Sequence, residues 1–215
     1  MSQPAAVWPR IVPIFTLGGA MLLPGGRLPL TVFEPRYLAM TDDALGNGRW
    51  LALVQPSPNT DSDGLLPGLY SVGTLGRITA FGDSGDGRYL ITVTGVARCR
   101  LMAEAGGRLG YRRAVVDYSP FDIDRQPERQ PPIDRHRLAH AVGGYFDYRG
   151  IATDMAKLEQ LSDMDFVSAL AMAAPLSAEE KQALLEADTA SQRAQLMTAM
   201  FEMALLSEAG PVLLH

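Results

Sequence analysis

The sequence predicts a mixed α+β fold: a β-rich lobe with one inserted helix, then a linker, then a helical bundle. Three observations carry this. The first half consists of short runs rich in β-branched and aromatic residues, cut by glycine-bearing turns. The segment SPFDIDRQPERQPP (119–132) concentrates proline and charge with little apolar content, as a linker does. Beyond it, apolar residues recur at helical spacing. The expected organisation is therefore a β lobe over 1–118, a linker over 119–132 and a bundle over 133–215.

In order, the predicted strands are RIVPIFTL (10–17), LPLTVF (28–33), WLALVQ (50–55), LYSVGTLGRITAF (69–81), RYLITVTGVARCRLMAE (88–104) and YRRAVVDY (111–118). Turn chemistry in LPGG, GNG, DSGDG and EAGG separates them, and Asp83 to Gly87 reads as a hairpin. Within 91–101, Ile91, Val93, Ala97, Cys99 and Leu101 form an apolar face. Thr92, Thr94, Arg98 and Arg100 take the opposite, polar face, the pattern of a half-buried strand.

The inserted helix follows Phe33-Glu34-Pro35-Arg36-Tyr37. Pro35 suits the first helical position, and Gly46 and Gly48 end the run. Residues 56–68 read as a long polar loop. In the second half, Leu138, Ala141, Val142, Tyr145 and Phe146 form one stripe. LSDMDFVSALAMAAP starts at a Ser162 cap and stops at Pro175. Ser177 and Glu180 make a capping box. The last helix, roughly 188–207, aligns Leu196, Met197, Met200, Phe201, Ala204 and Leu205.

Bulk properties narrow the function. The formal charge of −5 argues against a general nucleic-acid or anionic-membrane surface. One cysteine allows no intramolecular disulfide and no four-cysteine zinc site. The sequence has no 18-residue apolar run, and MSQPAAVWPR lacks the layout of a secretory signal, which makes the cytoplasm the default compartment.

Catalytic chemistry finds little support. There is no Gly-Lys pair for a phosphate-binding loop and no G-x-S-x-G elbow or dinucleotide-binding glycine pattern. His136 and His140 stand four apart, but Arg137 occupies the place a zinc-protease glutamate would take, so both read as surface histidines. Cys99 reads as a buried structural thiol. Met164, Met172, Met197, Met200 and Met203 read mainly as core filler, with an adaptable binding surface as the alternative. In the FEPRY string, Glu34 is expected to cap the helix, Pro35 to start it, and Phe33 with Tyr37 to brace it as a hydrophobic staple. Glu34, Arg36 and Tyr37 lining one pocket would instead suggest a small-molecule enzyme.

Set in order, these pieces resemble the LON substrate-binding domain, the N-terminal domain of Lon proteases. The resemblance rests on VPIFTLGGAMLLPGGRLPLTVFEPRYLAM (12–40), VGTLGRI (72–78), ITVTGVARCRL (91–101) and LSAEEKQALLEADTASQRAQLM (176–197). It implies a PUA-like pseudo-barrel followed by helices, with Phe33, Glu34, Pro35, Arg36, Tyr37, Gly73 and Gly76 as structural motif residues. The sequence stops at His215, before any ATPase or peptidase module, so a stand-alone, non-enzymatic relative is expected, with no metal and no cofactor.

The expected role is recognition of exposed apolar segments in unfolded or partly folded polypeptides, or docking to a protein partner such as a separate protease. The expected contact residues are Leu22, Leu23, Pro24 and Tyr37, bordered by the 56–68 loop. The alternative is an RNA-binding module using Arg98, Arg100, Arg108, Arg112 and Arg113.

Overall fold

The computed structural model describes residues 8–58, 68–126, 131–152, 157–158 and 160–208. Six strands form in the predicted places: β1 Ile11–Thr16, β2 Arg27–Val32, β3 Trp50–Val54, β4 Val72–Asp83, β5 Tyr89–Glu104 and β6 Arg113–Asp117. Helix α1, Pro35–Gly46, lies between β2 and β3. After β6 come a 3-10 helix (Ser119–Arg125) and helices α2 Arg135–Tyr148, α3 Asp163–Ala173, α4 Ala178–Glu186 and α5 Ala190–Glu208.

The sheet runs in the order β2-β5-β4-β3-β1-β6. A further pairing of β5 with β6 joins the far strand back to the second and closes a ring. It is an irregular ring rather than a regular barrel. β1 and β3 are parallel where the other pairs are antiparallel, and register shifts interrupt β4–β5 and β5–β6. β2 is left outside the ring, bonded among the described residues to β5 alone.

β3 shows why WLALV is apolar throughout. Ala52 and Val54 join Val12, Ile14, Leu75, Cys99, Leu101, Ala114 and Val116 in one core. Leu51 and Leu53 face the other way, with Phe15, Ile78, Ile91, Val93 and the α1 residues Tyr37, Met40 and Ala44. A strand covered on both faces loses the polar half of its alternation. Close packing also accounts for glycine at two motif positions. A Cβ at Gly73 would stand 2.6 Å from the Leu53 carbonyl oxygen, and one at Gly76 would overlap Val93.

The helices pack around Leu138, Val142, Phe146, Phe166, Val167, Leu170, Leu184, Met197 and Phe201, all buried. Each large apolar side chain buried here contributes roughly 1.5–3 kcal/mol. Met21, Leu23 and Val72 of the β lobe belong to the same cluster, so the two halves share a core. The predicted caps form: Ser162 Oγ accepts from the Asp165 N–H at 3.2 Å, and Ser177 and Glu180 make the capping box. Met197 is core and Met203 is exposed, while Met164, Met172 and Met200 are half-buried.

The segment 119–132, expected as a linker, holds local structure in its described part. Residues 119–125 wind into the 3-10 helix and bury Phe121, while 127–130 lie outside the described residues. One expectation is corrected: Arg98, expected on an exposed face, is 1% exposed because this helix and the bundle cover that side of β5.

The Arg98 guanidinium directs all five of its N–H groups to acceptors. Nε and Nη2 reach the Asp124 carboxylate at 3.0 and 2.8 Å. Nη1 donates to the carbonyls of Leu185, at 3.2 Å, and Ala187, and Nη2 donates also to that of Asp188 at 3.0 Å. The strand therefore ends α4 by taking up its free C-terminal carbonyls, and Asp124 balances the charge. Nearby, Gln182 of α4 donates to the Val72 carbonyl at 3.1 Å, and Gln55 donates to Gln182 and to the Ala178 carbonyl.

Removing one member of a buried ion pair strands the other. Arg98→Met is therefore expected to lower folding stability by about 3–5 kcal/mol, measured by urea denaturation. A loss below about 1 kcal/mol, the range of a surface pair, would show that this contact does not hold the halves together. Cys99 is fully buried, and burial pushes its thiol up to about 12. It should resist a thiol reagent in native buffer and react once unfolded; prompt labelling of the native protein would contradict this.

Candidate functional site

The FEPRY joint is structural in its geometry. Glu34 is the N-cap residue, but its side chain makes no capping bond; its carbonyl accepts from the N–H groups of Tyr37 and Leu38, both at 2.9 Å. The expected carboxylate cap is thus corrected. The Glu34 carboxylate pairs instead with Arg36 at 2.7 Å on the surface. The staple is corrected too: Phe33 is 66% exposed, while Tyr37 is buried against Phe15, their rings stacked with centroids 4.3 Å apart. Tyr37 Oη accepts from the Thr16 N–H and donates to the Thr16 carbonyl, both at 3.2 Å, bolting α1 to the end of β1. Glu34 and Arg36 spend their charges on each other and Tyr37 its hydroxyl on backbone, the arrangement of a structural joint.

The arginines proposed for RNA do not form one surface. Arg98 is buried, Arg108 pairs with Asp43 at 3.1 Å, and Arg112 pairs with Glu104 at 3.0 Å. Arg113 donates to the carbonyls of Ala105 and Gly106, and Arg100 is exposed. His136 and His140 are both exposed on α2. Among the described residues, no group of three or more His, Cys, Asp or Glu side chains could hold a metal ion. Among the same residues, no helix is long and apolar enough to cross a membrane.

The LLPGG segment lies beside a more promising feature. Leu23-Pro24-Gly25-Gly26 is a tight turn closed by the Gly26 N–H on the Leu23 carbonyl at 2.9 Å. Gly25 at φ +80° takes the position of a type II turn that disfavours any side chain. The Gly25 N–H donates to the Gly95 carbonyl at 3.0 Å, which pins the turn to β5.

This geometry corrects the expected contact residues. Leu22 and Leu23 are 1% and 0% exposed and Tyr37 is buried, so these side chains belong to the core, while Pro24 is half-buried. The outer surface begins at Gly25. Across from Gly25–Leu28 stands α3, and between them runs a groove of about 530 Å³. Its α3 wall presents Asp165, Ser168, Ala169, Met172 and Ala173 at helical spacing, with Leu161 at the rim. Met172 packs partly into both the helical core and the core under α1.

Arg135 steadies this wall. It lies 4.1 Å from the Phe166 ring centroid, pairs with Asp163 at 3.1 Å, and donates to the carbonyls of Leu158 and Leu161. The α3 residues were not singled out from sequence as a wall of the site. The available signal was the run DFVSALAMAA, whose apolar residues extend beyond the single stripe that a surface helix needs. Residues 59–67 of the loop expected to border the site lie outside the described residues.

Comparison with known proteins agrees with this architecture. Residues 11–202 match the model of the ATP-dependent protease La (LON) substrate-binding domain. Lon protease 2 of Sorangium cellulosum is 29% identical over 197 residues, spanning 88% of this chain. Lon protease 2 of Myxococcus xanthus is 31% identical over 109 residues, or 51% of the chain. The chain spans about a quarter or less of these relatives' length: 24% and 13% respectively. Among solved structures, the Lon N-terminal domain protein from Xanthomonas campestris superposes with a TM-score of 0.62 at 24% identity, covering 88% of this chain and 97% of that one. The N-terminal domain of the Mycobacterium avium complex Lon protease gives 0.61 at 18% identity, covering 89% and 98%. These two share the fold. With the match running through both the β lobe and the helices, this chain belongs to the LON substrate-binding domain family.

Proposed function

We propose that this domain recognises exposed apolar segments of unfolded or partly folded polypeptides, and that it does so in the groove between the Leu23–Gly26 turn and α3. The observation that carries this reading is the groove wall itself. Leu28, Leu161, Ala169, Met172 and Ala173 line a space of about 530 Å³ in a domain whose family is a substrate-binding one. Half-buried methionine on such a wall adapts to varied side chains, which suits a site that must accept unrelated sequences. Arg27 and Asp165 at the edges supply one charge of each sign, so the site is not selective for a strongly charged ligand. The role is recognition without catalysis. A separate protease is a natural recipient for a polypeptide held in this way.

The test is binding of reduced, carboxymethylated α-lactalbumin, a permanently unfolded chain, followed by fluorescence anisotropy. Ala169→Glu places a charge on the groove wall and is expected to weaken binding about tenfold or more, since covering an unpaired polar group costs ~1–3 kcal/mol. His140→Glu, on the exposed face of α2, should leave binding unchanged. Equal binding by wild type and Ala169→Glu, with the variant's thermal unfolding unaltered, would move the site away from this groove.

A further inference from the structure

We propose that a bound polypeptide lies extended along β2 and adds a strand to its free edge. This rests on the reading of the domain as a polypeptide-recognition module and specifies how that recognition works. The sheet order leaves β2 at one end, paired among the described residues only with β5. The Gly95 N–H donates to the Gly26 carbonyl at 2.9 Å, and the register from Arg27↔Thr94 to Val32↔Tyr89 continues without interruption. In an antiparallel pair, a residue's N–H and C=O point to the same side and alternate along the strand. Gly26 faces β5, so Leu28, Leu30 and Val32 do as well, while Arg27, Pro29 and Thr31 turn their main-chain groups outward.

Pro29 confirms this phase independently. It has no N–H, and a proline within a sheet belongs where that missing donor would point away from the ladder. Arg27, Pro29 and Thr31 are all exposed, and among the described residues none of their main-chain groups meets a protein partner beyond β5. The edge thus offers the N–H groups of Arg27 and Thr31 and the carbonyls of Arg27, Pro29 and Thr31 at strand spacing. The partner that satisfies donors and acceptors so arranged is another extended main chain.

The groove supplies the rest of the contact. Leu28 and Leu30 are half-buried on one face of β2, and Met172 of α3 packs into the same cluster. A strand added about 4.8 Å from β2 would lay alternate side chains along this apolar face, starting at the groove that Arg27 and Leu28 share with α3. Main-chain bonds hold any sequence, and the groove asks only for apolar residues at every second position. The missing N–H of Pro29 removes one donor from the middle of the edge, which weakens pairing and keeps it reversible.

The probe is a fluorescent peptide, Lys-Lys-(Val-Thr)4-Lys, together with two versions N-methylated at alternate residues, one on the valines and one on the threonines. Strand addition predicts that one N-methylated version binds about tenfold more weakly, through the loss of several main-chain bonds, while the other binds within about twofold. It also predicts that the parent peptide slows hydrogen exchange at the Arg27 and Thr31 amides and leaves those of Leu28, Leu30 and Val32 unchanged. If the parent binds but both methylated versions match it and neither amide is protected, strand addition is overturned and groove recognition stands. If neither the parent peptide nor carboxymethylated α-lactalbumin binds, the polypeptide reading falls and this proposal falls with it.

Discussion

The Arg98 guanidinium meets Asp124, 26 residues further along the chain, and the carbonyl end of α4, almost ninety residues away. A charge taken out of water at such a place is tolerated only if every donor finds an acceptor and an opposite charge lies close by. Both conditions hold, and meeting them requires β5, the 3-10 helix and α4 to be in place together. The contact adds less net energy than the surrounding apolar core, and its donors and acceptors are matched in the observed docking of lobe and bundle. Gln55 and Gln182 repeat the device a strand or two away, tying β3 and β4 to the same helix.

The groove depends on that arrangement. One wall is the turn held to β5 by Gly25 and Gly95; the other is α3, which packs with α4 and α5 in the bundle. Neither wall makes a groove alone, and its width follows from how the bundle is docked on the sheet. Close packing reaches into the site as well. A Cβ at Gly26 would overlap the Met172 sulfur, and one at Gly95 would overlap the Leu23 carbonyl, so small residues let turn, strand and helix approach. The site thus inherits its shape from the same contacts that fix the fold.

Much of this was legible in the sequence. All six strands, the inserted helix, the hairpin at Asp83–Gly87 and the caps at Ser162 and Ser177 follow from local chemistry, because turn glycines, caps and apolar period act within a few residues. The contact residues were less legible. Leu22 and Leu23 look like an apolar surface beside a turn, yet the turn folds them inward. Tyr37 looks like half of a staple, yet its ring stacks on Phe15, a partner on β1. Arg98 sits on the polar side of its strand as alternation requires; only the bundle docking over that side makes it interior.

By itself, the sequence determined the order and type of the elements, the FEPRY joint as a strand-to-helix corner, and the family, since these rest on short-range pattern and on motif residues in register. Tertiary structure alone decided that Arg98 would be buried, which apolar residues would line a groove, and which strand would stand at the end of the described sheet order. Those outcomes arise when segments far apart in the chain cover or fail to cover one another. Burial is a property of the pair of surfaces, and a linear pattern records only one of them.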